Sequence, residues 1–168
     1  MGRLPAMFGN KPITARQPWI MYGEIGLTTA QIGINFPDTT YLNNTDRPFE
    51  IHRFVPFISG RDVNNILLQP PADQDTLSSL VKAKITDLGK SAPMTKVSTR
   101  IRNMVKGQSE RSWELADPYY LLKGEQLQII ADADTFPANS AIANLNNLLV
   151  QIGVQGFFIS LGPPSEGR

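Results

Sequence analysis

Residues 147–161, NLLVQIGVQGFFISL, decide the fold, because apolar side chains recur in them at every second position. Up to residue 154 the apolar positions are even-numbered: Leu148, Val150, Ile152 and Val154. A period of two is typical of a half-buried strand and not of a helix. Beyond Gly156 the apolar positions are odd-numbered: Phe157, Ile159 and Leu161. We therefore expect a strand with either a bulge at the glycine or a bend that lets the strand serve two parts of a core.

Other segments have the pattern of strands that pack on this one. Residues 24–36 alternate but contain two glycines, which indicates one bent strand or two short ones. The segment PFEIHRFVPFISG, residues 48–60, is rich in aromatic and β-branched side chains, and Pro56 puts its second half at an edge or a bulge. Residues 81–86 and 125–136 also alternate, while residues 113–122 have a turn signal at Asp117-Pro118.

The segments between these strands are predicted to be irregular. Residues 37–48, 60–76 and 137–146 are rich in loop-forming residues. Residues 94–106 fit both a period of two and a helix, and we favour a strand. Together with 13 glycines and 13 prolines, about seven to nine short strands predict an all-β fold, an antiparallel two-sheet sandwich. We expect this domain to span residues 24–161, followed by a polar tail at 162–168.

Residues 1–23 are predicted to form an extended N-terminal arm. Pro5, Pro12 and Pro18 disfavour a helix and a central strand. The arm is basic, with three positive side chains and no acid before Glu24, and it is also too apolar to remain in water. Either it covers its own domain or it lies on a neighbouring subunit or another protein.

Bulk composition excludes several classes of function. The 168 residues carry a formal net charge of +1, which gives no global field to attract nucleic acid or an anionic membrane. The absence of cysteine rules out disulfide and thiolate chemistry. No apolar run is long enough for a membrane helix or a signal peptide. We expect no nucleic-acid partner and no membrane partner.

Residue patterns give little support to catalysis or metal binding. His52 is the only histidine, so one chain cannot supply a tetrahedral zinc site. Calcium at Asp132 and Asp134, with Asp117, competes with the simpler interpretation of a solvated strand face. The carboxylates clustered in sequence at 114–134 leave sugar hydrolysis possible, but clustering in sequence does not set the carboxyl separation that this chemistry requires. The basic side chains at 82–106 are interpreted as solvated surface in preference to a nucleic-acid stripe. No nucleotide or acyl-transfer motif is present. We predict no enzyme, no cofactor and no metal.

The organisation of the chain resembles that of the jelly-roll decoration, or cement, proteins on the heads of tailed bacteriophages. The segments that carry the resemblance are PFEIHRFVPF (48–57), KGQSERSWELADPYYL (106–121) and LLVQIGVQGFF (148–158). The resemblance implies a virion protein, made in the host cytoplasm, that binds the head exterior and stabilises contacts between major capsid subunits. It further implies a homodimer or homotrimer.

On this hypothesis the arm supplies the partner-binding residues. Phe8, Trp19 and Tyr22 are the expected anchors, and Arg3, Lys11 and Arg16 steer the arm onto an acidic shell surface. The alternative is a carbohydrate- or receptor-binding module of a tail or fibre, in which Trp113, Tyr119 and Tyr120 stack on sugar rings. A third possibility is another virion joint, such as a head-completion or tail protein.

Overall fold

The computed structural model describes residues 6–28, 38–62, 64, 66, 79–90, 92–95, 99–104, 112–133 and 147–164. Ten strands and one complete helical turn lie in these ranges, and residues 79–80 are also helical. In chain order they are β1 (Met7–Phe8), β2 (Lys11–Thr28), β3 (Asp38–Leu42), β4 (Phe49–Arg61), β5 (Val81–Asp87), β6 (Ala92–Pro93), β7 (Thr99–Arg100), α1 (Ile101–Met104), β8 (Trp113–Leu121), β9 (Gln126–Ala133) and β10 (Asn147–Leu161).

The strands form two antiparallel sheets. The first sheet has the order β1-β2-β10-β4-β8, and the second has the order β3-β9-β5-β6, with β7 also paired to β5. One main core of buried apolar side chains draws on both sheets. The predicted class, an all-β antiparallel two-sheet sandwich, is therefore confirmed.

Strand β10 is the centre of the first sheet, as its alternation predicts. It pairs with β2 along its whole length and with β4 from Asn147 to Phe158. The even-numbered side chains Leu148, Val150, Ile152 and Val154 are buried against the second sheet. The odd-numbered side chains of this segment lie on the opposite face, here called the outer face.

A register shift lies opposite Gly156, but the extra residue that was predicted at the glycine is on β4 and not on β10, which stays in continuous register with β2 there. Gln155 pairs with Arg53 and Gly156 pairs with Ile51, so His52 is the extra residue on β4. A Cβ at residue 156 would overlap the backbone of Glu50, so glycine is required there. Ile159 is fully buried but does not belong to the main core. Strand β10 therefore contributes side chains to the main core and to a second buried apolar region around Ile159.

In the second sheet, too, buried and partly exposed side chains alternate along the two central strands. Alternate residues of β5 and β9 are buried, including the predicted set Leu127, Ile129, Ala131 and Ala133. Tyr41 of β3 joins the two sheets, since its hydroxyl donates a hydrogen bond to the Ile152 carbonyl of β10. This approach leaves no room for a side chain at Gly23, whose Cβ would lie 2.6 Å from the Tyr41 hydroxyl.

Three sequence predictions need correction. Residues 38–42, predicted as loop, form β3, because Tyr41 is buried and the segment pairs with β9. Residues 101–104, for which a strand was favoured, form α1 after the short β7, and Ile101 enters the core. Asp117-Pro118 does not reverse the chain. Residues 115–118 bulge between Glu114, which pairs with Arg53, and Tyr119, which pairs with Ile51.

The N-terminal segment is integrated into the first sheet. The boundary predicted between residues 23 and 24 falls inside β2, which continues from Lys11 to Thr28 and pairs with β10 from Ile13 onward. Its prolines are tolerated because β2 is an edge strand over most of its length. Of the predicted tail, the described part includes Gly162, whose N–H donates to the Pro12 carbonyl at 2.8 Å.

Candidate interaction surface

The outer face of the first sheet carries apolar side chains where a solvated face is normally polar. The register aligns Tyr22 with Gly153 and Val55 across three strands, and Gln151 with Phe57. The outer apolar patch comprises Ile20, Tyr22, Val55, Phe57 and Leu149. Tyr22 is 67% exposed and Phe57 42% exposed. Glu24 and Gln151, which are hydrogen-bonded to each other, lie between Leu149 and Tyr22 on this face. Exposed apolar side chains at neighbouring positions of a sheet face are nevertheless typical of an interaction site.

Strand β2 adds an open backbone edge to this patch. Among the described residues, only β1 pairs with its outer side, at residues 11 and 12. Residues 11–18 contain the features that discourage edge pairing, namely two prolines, two basic side chains and a register shift opposite Ser160. Residues 19–28 contain none of these features. Thr39 and Tyr41 of β3 lie against this half of β2 at Gly23, and Tyr41 makes a hydrogen bond to the Gly23 backbone. The rest of this half lacks protection and is able to accept another strand.

A buried carboxylate holds the N-terminal hairpin on the outer face. The Glu50 side chain is 1% exposed. It accepts hydrogen bonds from Arg16 Nε at 3.2 Å and from the Tyr120 hydroxyl at 3.2 Å, and its Oε1 lies 2.5 Å from His52 Nε2. Phe8 packs on Tyr120 with ring centroids 4.7 Å apart. Residues from β1, β2, β4 and β8 thus meet at one carboxylate.

Electrostatics explains why this carboxylate is stable inside. Burial by itself raises the pKa of Glu50, but the hydrogen bonds and positive charges of His52 and Arg16 outweigh burial and hold the pKa below its ordinary value. The ionised form is therefore the one that the site favours. We interpret the cluster as a structural clamp, because every residue in it binds another part of the same chain.

A second buried carboxylate stabilises the turn that connects β8 of the first sheet to β9 of the second. Asp87 Oδ2 lies 2.5 Å from the Tyr119 hydroxyl and 3.0 Å from Lys90 Nζ, and Lys90 also contacts Glu125 at 3.1 Å. Burial raises the pKa of Asp87, and the hydrogen bonds from Tyr119 and Lys90 lower it further than burial raises it. Lys90, one of the predicted solvated basic residues, is thus part of an internal ionic network.

The structure places the predicted partner-binding residues in different environments. Phe8 and Arg16 contact their own chain through Tyr120 and Glu50. Trp19 is 52% exposed and Tyr22 is more exposed still. Lys11 is exposed at the start of β2. Arg3 lies outside the described residues.

The aromatic side chains of the sugar-binding alternative have internal partners. Trp113 stacks on Phe54 of the core at a centroid distance of 5.2 Å. Tyr119 donates to Asp87, and Tyr120 lies between Glu50 and Phe8. These three residues therefore do not form a shared exposed platform.

Two adjoining cavities open on the outer face beside the bulge. One, of about 290 Å³, is lined by residues that include Arg53, Glu114 and Phe157. The other, of about 330 Å³, is lined by residues that include Trp19 and Ile20. Pro18 and Gln155 line both, so the cavities form one groove, here called the bulge groove. The sequence pattern did not predict it, although the parity change at Gly156 marks its position.

The remaining chemistry-bearing residues form no obvious centre. Within the described ranges, no cluster of three or more histidine, cysteine or acidic side chains is suited to hold a metal ion. Asp132 accepts a hydrogen bond from the Ala133 N–H at 2.8 Å, and Asp134 lies outside those ranges. No helix in the described part of the chain is long and apolar enough to cross a membrane.

Comparisons with family models, with curated proteins and with solved structures found no match to this chain. Function is therefore inferred from the geometry and chemistry of the outer face.

Proposed function

We propose that this protein is a decoration, or cement, protein of a phage head. It binds the outside of the head, stabilises contacts between major capsid subunits, and assembles as a homodimer or homotrimer. The observation that carries the proposal is the outer apolar patch beside the unprotected half of β2. The absence of an evident catalytic arrangement among the described residues is compatible with a structural role.

The geometry supports docking in two ways. Tyr22 and Phe57 offer exposed aromatic area, the kind of side chain that dominates binding energy at interfaces. The open edge at residues 19–28 offers backbone donors and acceptors to an extended segment of a neighbouring subunit. Together these features provide contact area on a small domain without a deep pocket. The proposal keeps Tyr22 as an anchor of the patch, whereas Trp19 is exposed beside Phe158 on the opposite face and lies outside the patch. Phe8 and Arg16 support the surface from within.

The test is binding of the purified protein to expanded heads that lack it, measured by co-sedimentation. Tyr22→Lys and Phe57→Lys each place a charge in the patch, and we expect each to weaken binding by about tenfold or more. Thr40→Lys is the matched control, since it adds the same charge at an exposed position of the second sheet. Binding by the patch variants that equals binding by the control would contradict the proposal.

A further inference from the structure

The bulge groove has a combination of side chains that the docking proposal does not use. Its polar groups are Arg53, Glu114, Gln155 and His52, and its apolar walls include Phe157. Arg53 and Glu114 face each other across neighbouring strands, because they are paired in the register of β4 and β8. The groove exists because the bulge at His52 turns that ring outward against Phe157, with ring centroids 5.3 Å apart.

The hydrogen bonds inside the groove determine which donors and acceptors are left to bind a ligand. Arg53 Nε donates to Gln155 Oε1 at 2.6 Å, which occupies the acceptor of this amide and leaves its N–H₂ donors. Glu114 makes no hydrogen bond or ion pair with any residue that the structure describes. The groove therefore presents both donors and a carboxylate acceptor at its surface.

The charge balance selects the class of ligand. One arginine and one glutamate give zero formal charge, and His52 is paired with the Glu50 carboxylate. A simple anion would be repelled by Glu114, and a simple cation would be repelled by Arg53. A neutral ligand with many hydroxyl groups matches the mixture, since each hydroxyl both donates and accepts.

An aromatic side chain adds to the match. Phe157 borders the cavity that Arg53 and Glu114 line. Trp19 also lines the second cavity, but it is paired with Gly156 and packs on Phe158, so its ring lies on the opposite face of the sheet. A ring such as that of Phe157 packs against the C–H face of a sugar while polar groups contact the sugar's edge. The cavity beside Phe157 is near the lower limit of ordinary ligand sites, about 300 Å³, which suits one sugar ring.

We propose that the bulge groove binds a neutral saccharide through one sugar ring. Glu114 accepts hydrogen bonds from neighbouring hydroxyls, Arg53 and Gln155 donate to ring substituents, and Phe157 packs on the sugar face. This proposal goes beyond the docking function and does not depend on it, because the polar groups of the groove lie outside the outer apolar patch.

The test is an NMR titration of the ¹⁵N-labelled full chain with methyl glycosides of glucose, galactose and N-acetylglucosamine, and with lactose and cellobiose. We expect at least one probe to shift the signals of residues 114, 155 and 157. Glu114→Gln should reduce the affinity for that probe about tenfold. Glu24→Gln is the control, since Glu24 is a carboxylate of the same outer face that contacts Gln151 outside the groove.

Three results would overturn the proposal: no shift with any probe, shifts confined to residues away from the groove, or equal affinity of Glu114→Gln and Glu24→Gln. A free amino acid such as leucine is titrated in parallel, because a zwitterion also satisfies Arg53 and Glu114. Shifts at the groove with leucine and none with the glycosides would likewise reject a saccharide. Glu114→Gln is expected to bind heads like the unchanged chain, so the two proposals fail independently.

Discussion

Glu50 shows how one residue connects local pattern to tertiary structure. The alternation of β4 assigns it to the outer face, where a carboxylate is expected to meet water. It is buried because the N-terminal hairpin and Tyr120 cover it, and Arg16 and His52 satisfy its oxygens. A pattern along one strand contains no information about such a cover, so the cluster could not be predicted from sequence.

We expect Glu50→Gln to lower the free energy of unfolding by about 1–2 kcal/mol at pH 7, because a charged acceptor is lost from Arg16 and His52. We expect a loss this small because Arg16 and His52, the two charged partners of Glu50, are both partly exposed to water. Urea unfolding measures the change, with the exposed Glu24→Gln as the control. The clamp interpretation is rejected if the two variants lose equal stability.

The same variant gives a pH test. The pKa of Glu50 is lower in the folded chain than its ordinary value of 4.5. Its contribution is therefore complete above pH 4.5 and is lost as the pH falls through the folded pKa. The difference in unfolding free energy between the unchanged chain and Glu50→Gln should shrink toward zero in acid. A difference that stays constant down to pH 2 would disagree with this assignment.

The bulge between β10 and β4 requires glycine at residue 156. Gly156→Ala places a Cβ against the Glu50 backbone, which cannot move without disturbing the paired strands. We expect a loss of about 2–4 kcal/mol in thermal or urea unfolding. Gly26→Ala is the matched control on β2, because nothing lies within 4 Å of its added Cβ. Equal effects of the two substitutions would contradict the close approach.

At the scale of elements, prediction succeeded where one strand has one clear period. Strands β5, β9 and β10 follow from alternation alone, because each buries one face. It failed for β3, whose polar residues resemble a loop and whose strand structure depends on pairing with β9. It failed also for α1, where four residues are too few to establish a helical period.

Strand β2 predicts that deleting the N-terminal residues destabilises the whole domain. Deleting residues 1–22 removes the part of β2 that pairs with β10 from Leu161 to Gly153. It also removes Arg16 from Glu50. We therefore expect the truncated chain to lose cooperative unfolding, as measured by circular dichroism. Deleting residues 1–5 leaves every described strand intact and serves as the control. A folded 23–168 fragment with unchanged thermal stability would show that this half of β2 is dispensable.

At the scale of the molecule, the sandwich could be predicted and the surface could not. Strand number and turn composition are properties of the sequence. The outer apolar patch and the bulge groove combine side chains from β2, β4, β8 and β10, and only the register brings these together. Trp19 and Tyr22 were predicted as partner-binding residues from their apolar character, and both are exposed, whereas Phe57, Glu114 and Phe157 gave no separate signal.

The central claim is that this chain decorates a phage head as a shell-wide component. The most direct test is its abundance relative to the major capsid subunit in purified particles of a phage whose genome contains this sequence, measured by quantitative mass spectrometry. We predict near-stoichiometric abundance, because a cement must occupy most junctions between shell subunits. A few copies per particle would assign the chain to a tail or portal joint, and its absence from particles would contradict a virion role.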